Sequence, residues 1–253
     1  MSTPLIFVHG MFMTGRSWAP WVERFERAGY SCRAPSWPGR DGKPAELRAS
    51  PPAVLRELTL SQVVEQFAAE GRACADKPVI VGHSMGGLVA QILHARGLAR
   101  LAVAIDSAPP LGVRTFAFSH LRANAPVLFP GSSPIVPTVA SWKYAFWHTG
   151  GDAEVSAAFD EHVVPESRLV GRGPLGAEGA VDFRAARPPL LLVAGELDTI
   201  IPASLNRTNA ARYDASVAPT DLVEMKRRTH YLCGQPGWEE VADEVLGWLR
   251  KKG

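Results

Sequence analysis

The sequence is poor in cysteine and carries no excess of charge of either sign. Its three cysteines are odd in number and include no Cys-x-x-Cys pair, so neither a disulfide framework nor a zinc site is indicated. The net charge is only +2, and the basic residues are scattered. The run Lys226-Arg227-Arg228 is typical of a solvated surface. We therefore expect reduced thiols and no nucleic-acid or anionic-membrane partner.

Targeting signals and long hydrophobic runs are missing as well. The N-terminus lacks a basic segment, and its first apolar run ends by Val8, too short for a signal peptide or a membrane span. No internal repeat or low-complexity tract is present. With 46% hydrophobic and 21% charged residues, the composition indicates one large globular domain, or one domain with an insertion, in the cytoplasm.

Short apolar, β-branched segments alternate along the chain with helix-like stretches. This alternation predicts parallel strands joined by crossover helices, and therefore an α/β fold. The expected strands are residues 5–8, 30–35, 78–81, 101–105, 190–194 and 221–225. A capping box that begins at Thr59 predicts a helix to about Gly71, and an apolar stripe that includes Trp238 and Trp248 predicts a C-terminal helix.

The alternation stops between residues 111 and 187. This segment contains nine of the 21 aromatic residues and no comparable strand signal. Short apolar patches separated by proline and glycine predict helices there. We expect a helical cap inserted over the C-terminal edge of the sheet, with residues 1–110 and 188–253 forming the core.

The segment Gly82-His83-Ser84-Met85-Gly86 has the pattern G-x-S-x-G and stands between an apolar strand and a helix. At such a turn the serine adopts a strained backbone conformation, and the two glycines let strand and helix approach closely. The hydroxyl then projects at the sheet edge, beside the amides of the helix N-terminus. The pattern is common by chance, but this strand-to-helix context favours Ser84 as a catalytic nucleophile.

A serine nucleophile requires a base, which a third group must orient. Of the seven histidines, His230 alone follows the last expected strand and precedes the last helix, where a loop can bring its imidazole to the sheet edge. Asp198 follows a buried strand at the same edge, where a carboxylate is costly unless it has a partner. We expect His9 and His83 to be structural histidines that make hydrogen bonds.

In this order and spacing, the segments FVHG, VGHSMGG, AGELDTIIP and RRTH resemble the α/β-hydrolase superfamily over nearly the whole chain outside the expected cap. The resemblance implies a doubly wound, mostly parallel sheet, with Ser84 as nucleophile, Asp198 as orienting acid and His230 as general base and acid. Many members begin with an antiparallel hairpin. This chain starts almost at the strand before His-Gly, as compact plant esterases and hydroxynitrile lyases do, so we expect about six strands.

The loop after the first strand nearly matches a phosphate-binding loop, with Gly10 and Gly15 at the right spacing. However, Arg16 stands where that loop has lysine. Only the strands that end in Asp106 and Asp198 offer a convincing aspartate for magnesium, and Asp198 is better explained as the orienting acid. The resemblance instead maps oxyanion-hole donors onto backbone N–H groups. These are Met11, with Phe12 as the nearby alternative, and Met85.

Hydrolysis of a carboxylic ester through an acyl-serine is the activity that we expect, and it needs no metal or organic cofactor. We expect a mainly apolar pocket for an aryl or medium acyl ester or a lactone, lined by Phe12, Trp142, Tyr144, Phe146 and Trp147, although the four cap aromatics could equally form a core within the cap. Lactone or amide hydrolysis, hydroxynitrile lyase or carbon–carbon bond cleavage, and ligand binding without turnover are the alternatives. The oligomeric state cannot be predicted from the sequence.

Overall fold

The computed structural model describes residues 2–115 and 117–253. Within them six strands form one sheet: β1 (Thr3–Val8), β2 (Tyr30–Arg33), β3 (Val79–His83), β4 (Leu101–Ile105), β5 (Leu190–Gly195) and β6 (Thr220–Met225). Their order is β2-β1-β3-β4-β5-β6, and every neighbouring pair is parallel. The prediction of an α/β fold with a doubly wound parallel sheet of about six strands is confirmed.

Each strand lies within two residues of its predicted bounds. The strand that extends furthest beyond its predicted C-terminal end is β3. Its apolar run stops at Val81, but the strand continues to His83. Parallel pairing continues for two more residues, because Gly82 and His83 still pair with Ala104 and Ile105 of β4. Strand pairing, rather than hydrophobicity, therefore carries the chain up to the turn that follows.

Ten α-helices lie among the described residues: α1 (Ala19–Arg27), α2 (Pro44–Ala49), α3 (Leu60–Arg72), α4 (Met85–Ala95), α5 (Phe118–Leu128), α6 (Val139–Ala145), α7 (Asp152–His162), α8 (Arg168–Arg172), α9 (Ala203–Ala210) and α10 (Trp238–Lys252). Short 3-10 helices cover Gly15–Trp18, Ala53–Arg56, Gly173–Leu175 and Ala177–Gly179. The predicted capping box starts α3: Gln62 N–H donates to the Thr59 hydroxyl, and Thr59 N–H donates to the Gln62 side chain.

Both faces of the sheet are covered by helices. Alternate residues of β1 enter different cores: Ile6 packs with α3 and α4 on one face, whereas Phe7 packs with α1 and α10 on the other. Phe7 is fully buried against Trp18 and Trp21. Burial of one such side chain contributes roughly 1.5–3 kcal/mol, so this two-sided packing makes the sheet a rigid base for the loops at its edge.

The chain reverses its direction across the sheet between β1 and β3. From β1 it first runs outward to β2, and from β3 it proceeds toward β6. Ligands of doubly wound folds bind at the carboxyl ends of the strands near such a switch point. The register pairs Val8 with Gly82, so the loop after β1 and the turn after β3 start side by side.

Helices α5 to α8 lie between β4 and β5, in the segment for which the sequence predicts a cap. One isolated antiparallel bridge joins Ile135 to Glu166. The boundaries of a separate cap at residues 111 and 187 remain a prediction. No helix in the described part of the chain is both long and apolar enough to cross a membrane.

Candidate active site

Ser84 occupies the turn between β3 and α4 with φ 55° and ψ −119°, a conformation that non-glycine residues rarely adopt. Its N–H donates to the carbonyl oxygen of Ile105 at 2.9 Å, which anchors the turn on β4. A Cβ on Gly82 would overlap the carbonyl oxygen of Gly86, and a Cβ on Gly86 would overlap that of Val8. The two glycines of the G-x-S-x-G pattern are therefore required by close backbone approach.

His230 and Asp198 form a fully buried pair, with 2.6 Å between His230 Nδ1 and Asp198 Oδ2. The other carboxylate oxygen, Oδ1, accepts hydrogen bonds from the N–H groups of Ile200 and Ile201 at 2.7 and 2.8 Å. Burial acts to raise the pKa of Asp198, but the neighbouring His230 and these hydrogen bonds lower it overall. Asp198 is thus an ionised acceptor that fixes the proton of the imidazole on Nδ1.

The imidazole of His230 is held in place by two more rings. Phe146 lies edge-on to it at 4.9 Å between centroids, and His83 lies at 4.7 Å. The second ring nitrogen, Nε2, has no hydrogen-bond partner among the described residues. His230 and Ser84 line the same cavity but are not hydrogen-bonded to each other. Catalytic hydrogen bonds of this kind often tighten only when substrate binds.

The loop after β1 packs directly on the serine. A Cβ added to Gly10 would lie 2.9 Å from Cβ of Ser84. Met11 and Met85 line the cavity beside Ser84, and within the described residues their N–H groups donate to no protein oxygen. The N–H of Phe12, in contrast, donates to the Glu166 carboxylate. The N–H of Phe12 is therefore already engaged, whereas that of Met11 is not, within the part of the chain that the structure describes.

His9 and His83 have structural hydrogen bonds, as the sequence led us to expect. His9 Nδ1 donates to the Gly10 carbonyl oxygen, and its Nε2 accepts from the N–H of Trp37. His83 Nε2 donates to the carbonyl oxygen of His230. Burial lowers the pKa of both imidazoles to about 3, so both are neutral near pH 7. They hold the loop after β1 and the backbone of His230 in place.

A cavity of about 340 Å³ opens over Ser84. Of the aromatic side chains that the sequence suggests for a pocket, Phe12, Trp142 and Phe146 line it. Tyr144 and Trp147 are not in its wall: the ring of Tyr144 packs against the guanidinium of Arg122 and that of Trp147 against Tyr231. These two aromatic residues pack against other side chains, which was the alternative that the sequence left open.

Sequence reasoning missed much of the cavity wall. Ile200 and Ile201 belong to it, as do Leu121 and Val127 of α5. The position of the two isoleucines, two and three residues after Asp198, could have indicated their place. No comparable signal marks α5, because its contribution depends on how the helix lies over the sheet edge.

A second carboxyl group, that of Asp106, is completely buried next to Asp198. Its Oδ1 accepts from the N–H of Gly195 at 2.7 Å, and its Oδ2 faces no donor among the described residues. Burial, and then the charge of Asp198, raise the pKa of Asp106 well above its ordinary value. The surroundings of Asp106 therefore favour its neutral form, which can donate a hydrogen bond to Asp198.

Asp106 also belongs to the cluster with the most evident metal-binding potential in the described chain. His83, Asp106 and His230 each place one potential ligand atom within 4.8 Å of the others. The carbonyl oxygen of His230 already engages His83 Nε2, and Asp198 engages His230 Nδ1. We interpret the proximity as a result of triad packing rather than as a metal-binding arrangement.

A doubly wound sheet that carries a serine on a strained turn at its switch point, opposite a buried His–Asp pair, is the arrangement of a hydrolase-like α/β protein. The chain belongs to the Alpha/beta hydrolase family, whose sequence profile matches residues 5–244. No curated protein sequence matches the chain.

Solved structures of esterases and lipases share this fold at low sequence identity. A monoacylglycerol lipase of Paleococcus ferrophilus is 19% identical with a TM-score of 0.71, covering 99% of this chain and 95% of its own. Polyneuridine aldehyde esterase is 16% identical with a TM-score of 0.70, covering 98% and 99%. Tomato methylketone synthase I, complexed with 2-tridecanone, is 14% identical with a TM-score of 0.75 and covers both chains fully. At these identities the comparison shows the fold.

Proposed function

We propose that the protein is a serine carboxylesterase with Ser84 as nucleophile, His230 as general base and acid, and Asp198 as the acid that orients His230. The observation that carries the proposal is the 2.6 Å bond between Asp198 and His230, which lines the same cavity as Ser84. A serine hydroxyl is a weak nucleophile unless an oriented base accepts its proton, and this pair supplies such a base.

The reaction follows from the positions of these groups. His230 Nε2, which has no partner among the described residues, accepts the proton of the Ser84 hydroxyl as its oxygen attacks the ester carbonyl. The N–H groups of Met11 and Met85 stabilise the negative oxygen of the tetrahedral intermediate by about 2.7–4 kcal/mol per donor. The imidazolium then protonates the leaving alcohol. A water activated by the same imidazole releases the acid from the acyl-serine.

The cavity favours a neutral, mainly apolar substrate. No Asp, Glu, Lys or Arg side chain lines it in the described part of the chain, and most of its wall is aliphatic or aromatic. A charged acyl group would lose its hydration there without gaining a partner. We therefore propose a small aryl or medium-chain acyl ester as substrate. Lactones use the same machinery, and in our proposal residues 111–187 act as a cap that closes over either one.

A p-nitrophenyl ester series from two to twelve acyl carbons tests the function. We expect turnover with the native protein and a maximum at short or medium chains. Ser84→Ala should lower kcat by at least about 10³-fold without unfolding, since the triad acts as a unit. Ser61→Ala, which changes an exposed serine at the start of α3, serves as the control and should retain native turnover.

Other outcomes distinguish the alternatives. An active Ser84→Ala protein would refute the triad. Binding of a neutral ligand to the native protein without turnover of any ester, lactone or amide would identify a ligand-binding protein on this fold. Product formation from a hydroxynitrile without an acyl-serine would identify a lyase.

A further inference from the structure

Glu166 and Arg40 form an ion pair whose two side chains are completely buried, with 2.6 Å between Arg40 Nη2 and Glu166 Oε1. Burial of two charges costs several kcal/mol per ion unless hydrogen bonds satisfy them. Arg40 also donates to the carbonyl oxygen of Pro165 at 2.8 Å. The pair thus lies where the loops at the edge of the sheet contact the segment around residue 166.

The two oxygens of the Glu166 carboxylate face only donors. Oε1 accepts from Arg40 and from the N–H of Ser167, each at 2.6 Å. Oε2 accepts from the N–H of Phe12 at 3.2 Å, across 154 residues of chain. A carboxylate is the side-chain group that meets these donors without presenting a hydrogen of its own.

Phe12 needs such support, because it adopts the left-handed conformation with φ 65°. For a residue other than glycine this conformation costs on the order of 1–3 kcal/mol and persists only where its surroundings fix it. Val164 fixes the other side of Phe12, since its N–H donates to the Phe12 carbonyl oxygen at 2.9 Å. The peptide groups before and after Phe12 are therefore both held by residues 164–166.

Met11, the proposed oxyanion donor, immediately precedes this clamped residue. We infer that Glu166, with Arg40 as its counter-ion, is a positioning residue for the oxyanion hole. Its carboxylate holds the Met11–Phe12 peptide in the orientation that leaves the Met11 N–H directed at the reacting carbonyl. The inference rests on the proposed esterase function. Glu166 itself does not touch the reacting atoms.

Glu166 also links the loop after β1 to the wall of the cavity. The backbone of Glu166 pairs with that of Ile135, with N–H to oxygen distances of 2.8 and 2.9 Å in the two directions. Ile135 lines the cavity. One residue therefore joins the cavity wall, the buried arginine and the strained loop.

Glu166→Gln tests the inference. The amide must turn its NH₂ group either toward the N–H of Phe12 or toward Arg40 and the N–H of Ser167, and in both orientations a donor faces a donor. We expect kcat for p-nitrophenyl butyrate to fall about 10- to 100-fold while KM stays within about twofold, because the oxyanion forms only in the transition state. Inhibition by a trifluoromethyl ketone, whose adduct carries the oxyanion, should weaken by the same factor.

Two further variants distinguish a positioning role of Glu166 from a general effect on folding. Arg40→Met combined with Glu166→Met removes both charges at similar volume, so the protein should fold while kcat falls as in Glu166→Gln. Asp160→Asn is the matched control. It removes a carboxylate from Arg48, which binds the carbonyl oxygen of Val163 near the same boundary but does not contact Phe12. This control should keep native kcat.

The outcomes also separate this inference from the proposed function. If a fluorophosphonate does not label the native protein at all, the esterase proposal fails. If the native protein is labelled and turns over, but Glu166→Gln and the double-methionine variant keep native kcat and native ketone inhibition, the positioning role is wrong and the esterase proposal stands. An equal loss in Asp160→Asn would also overturn it, because the effect would then not depend on Phe12.

Discussion

At the scale of single residues, two neighbouring carboxyl groups acquire different roles from their surroundings. Asp198 accepts from His230 and from two backbone N–H groups, and these contacts outweigh the effect of its burial on its pKa. Asp106 accepts one backbone N–H, and burial beside Asp198 raises its pKa. Because two adjacent buried carboxylates cannot both be charged at low cost, these surroundings favour the neutral form of Asp106 and the charged form of Asp198.

Replacing each of these two aspartates by asparagine should therefore lower kcat to different extents. Asp198→Asn can present an N–H group to His230 Nδ1, which places the imidazole proton on Nε2 and leaves no acceptor for the serine proton, so kcat should fall about 10³- to 10⁴-fold. Asp106→Asn reproduces a protonated carboxyl, with an N–H for Asp198 and an oxygen for Gly195, and should lower kcat less than about tenfold. Steady-state kinetics of the two variants compare them directly. Similar losses in both would show that Asp106 is the orienting acid as much as Asp198.

At the scale of elements, the turn from β3 into α4 fixes the position of Ser84. The backbone of Gly82 touches Gly86, that of Gly86 touches β1, and the Ser84 N–H is bound to β4. Three neighbouring strands thus define the position of one hydroxyl. Neither Gly82 nor Gly86 can therefore carry a side chain.

A methyl group at Gly86 should therefore be severely destabilising. In Gly86→Ala the new Cβ would overlap the carbonyl oxygen of Val8, and neither backbone can move without breaking the sheet. We expect a loss of at least about 3 kcal/mol in the free energy of unfolding, measured by urea denaturation. The control is Gly247→Ala on α10, where an added Cβ meets nothing within 4 Å. It should gain about 0.5–1 kcal/mol.

The elements differ in how far the sequence alone could predict them. The strands were predictable because buried parallel strands read as continuous apolar runs, and Ser84 because its glycines mark a tight turn. Glu166 was not. It stands in the segment VVPESR, whose polar residues are typical of an exposed loop. It is buried only because Arg40, 126 residues away, meets it in the folded chain.

At the scale of the whole molecule, folding buries three neutral histidines. Burial lowers the pKa of His9 and His83 to about 3 and that of His94 to about 4. The unfolded chain binds protons at these positions below about pH 6.5, whereas the folded chain does not. Their contribution to the free energy of unfolding is therefore fully present above about pH 6.5 and is lost as the pH falls toward 4 and below.

His94 tests this linkage away from the candidate active site. It lies on α4, is 1% exposed, and its Nε2 donates to the carbonyl oxygen of Pro188. His94→Gln keeps an N–H donor but removes the titration, so the variant should lose roughly 2–4 kcal/mol less stability than the native protein between pH 7 and pH 4. Urea denaturation at both pH values measures the difference. Identical pH dependence in the two proteins would show that His94 titrates normally in the fold.

The sheet brings four distant loops to one edge. Gly10–Phe12 follows β1, Ser84 follows β3, and Asp198 and His230 follow β5 and β6. We propose that this convergence makes Ser84 nucleophilic. Peptide mapping after brief exposure to a fluorophosphonate tests it most directly. We predict one adduct, on the peptide that contains Ser84, and at least about 10³-fold slower labelling when His230 is replaced by Ala. An adduct on another residue, or undiminished labelling of Ser84 without His230, would contradict the account.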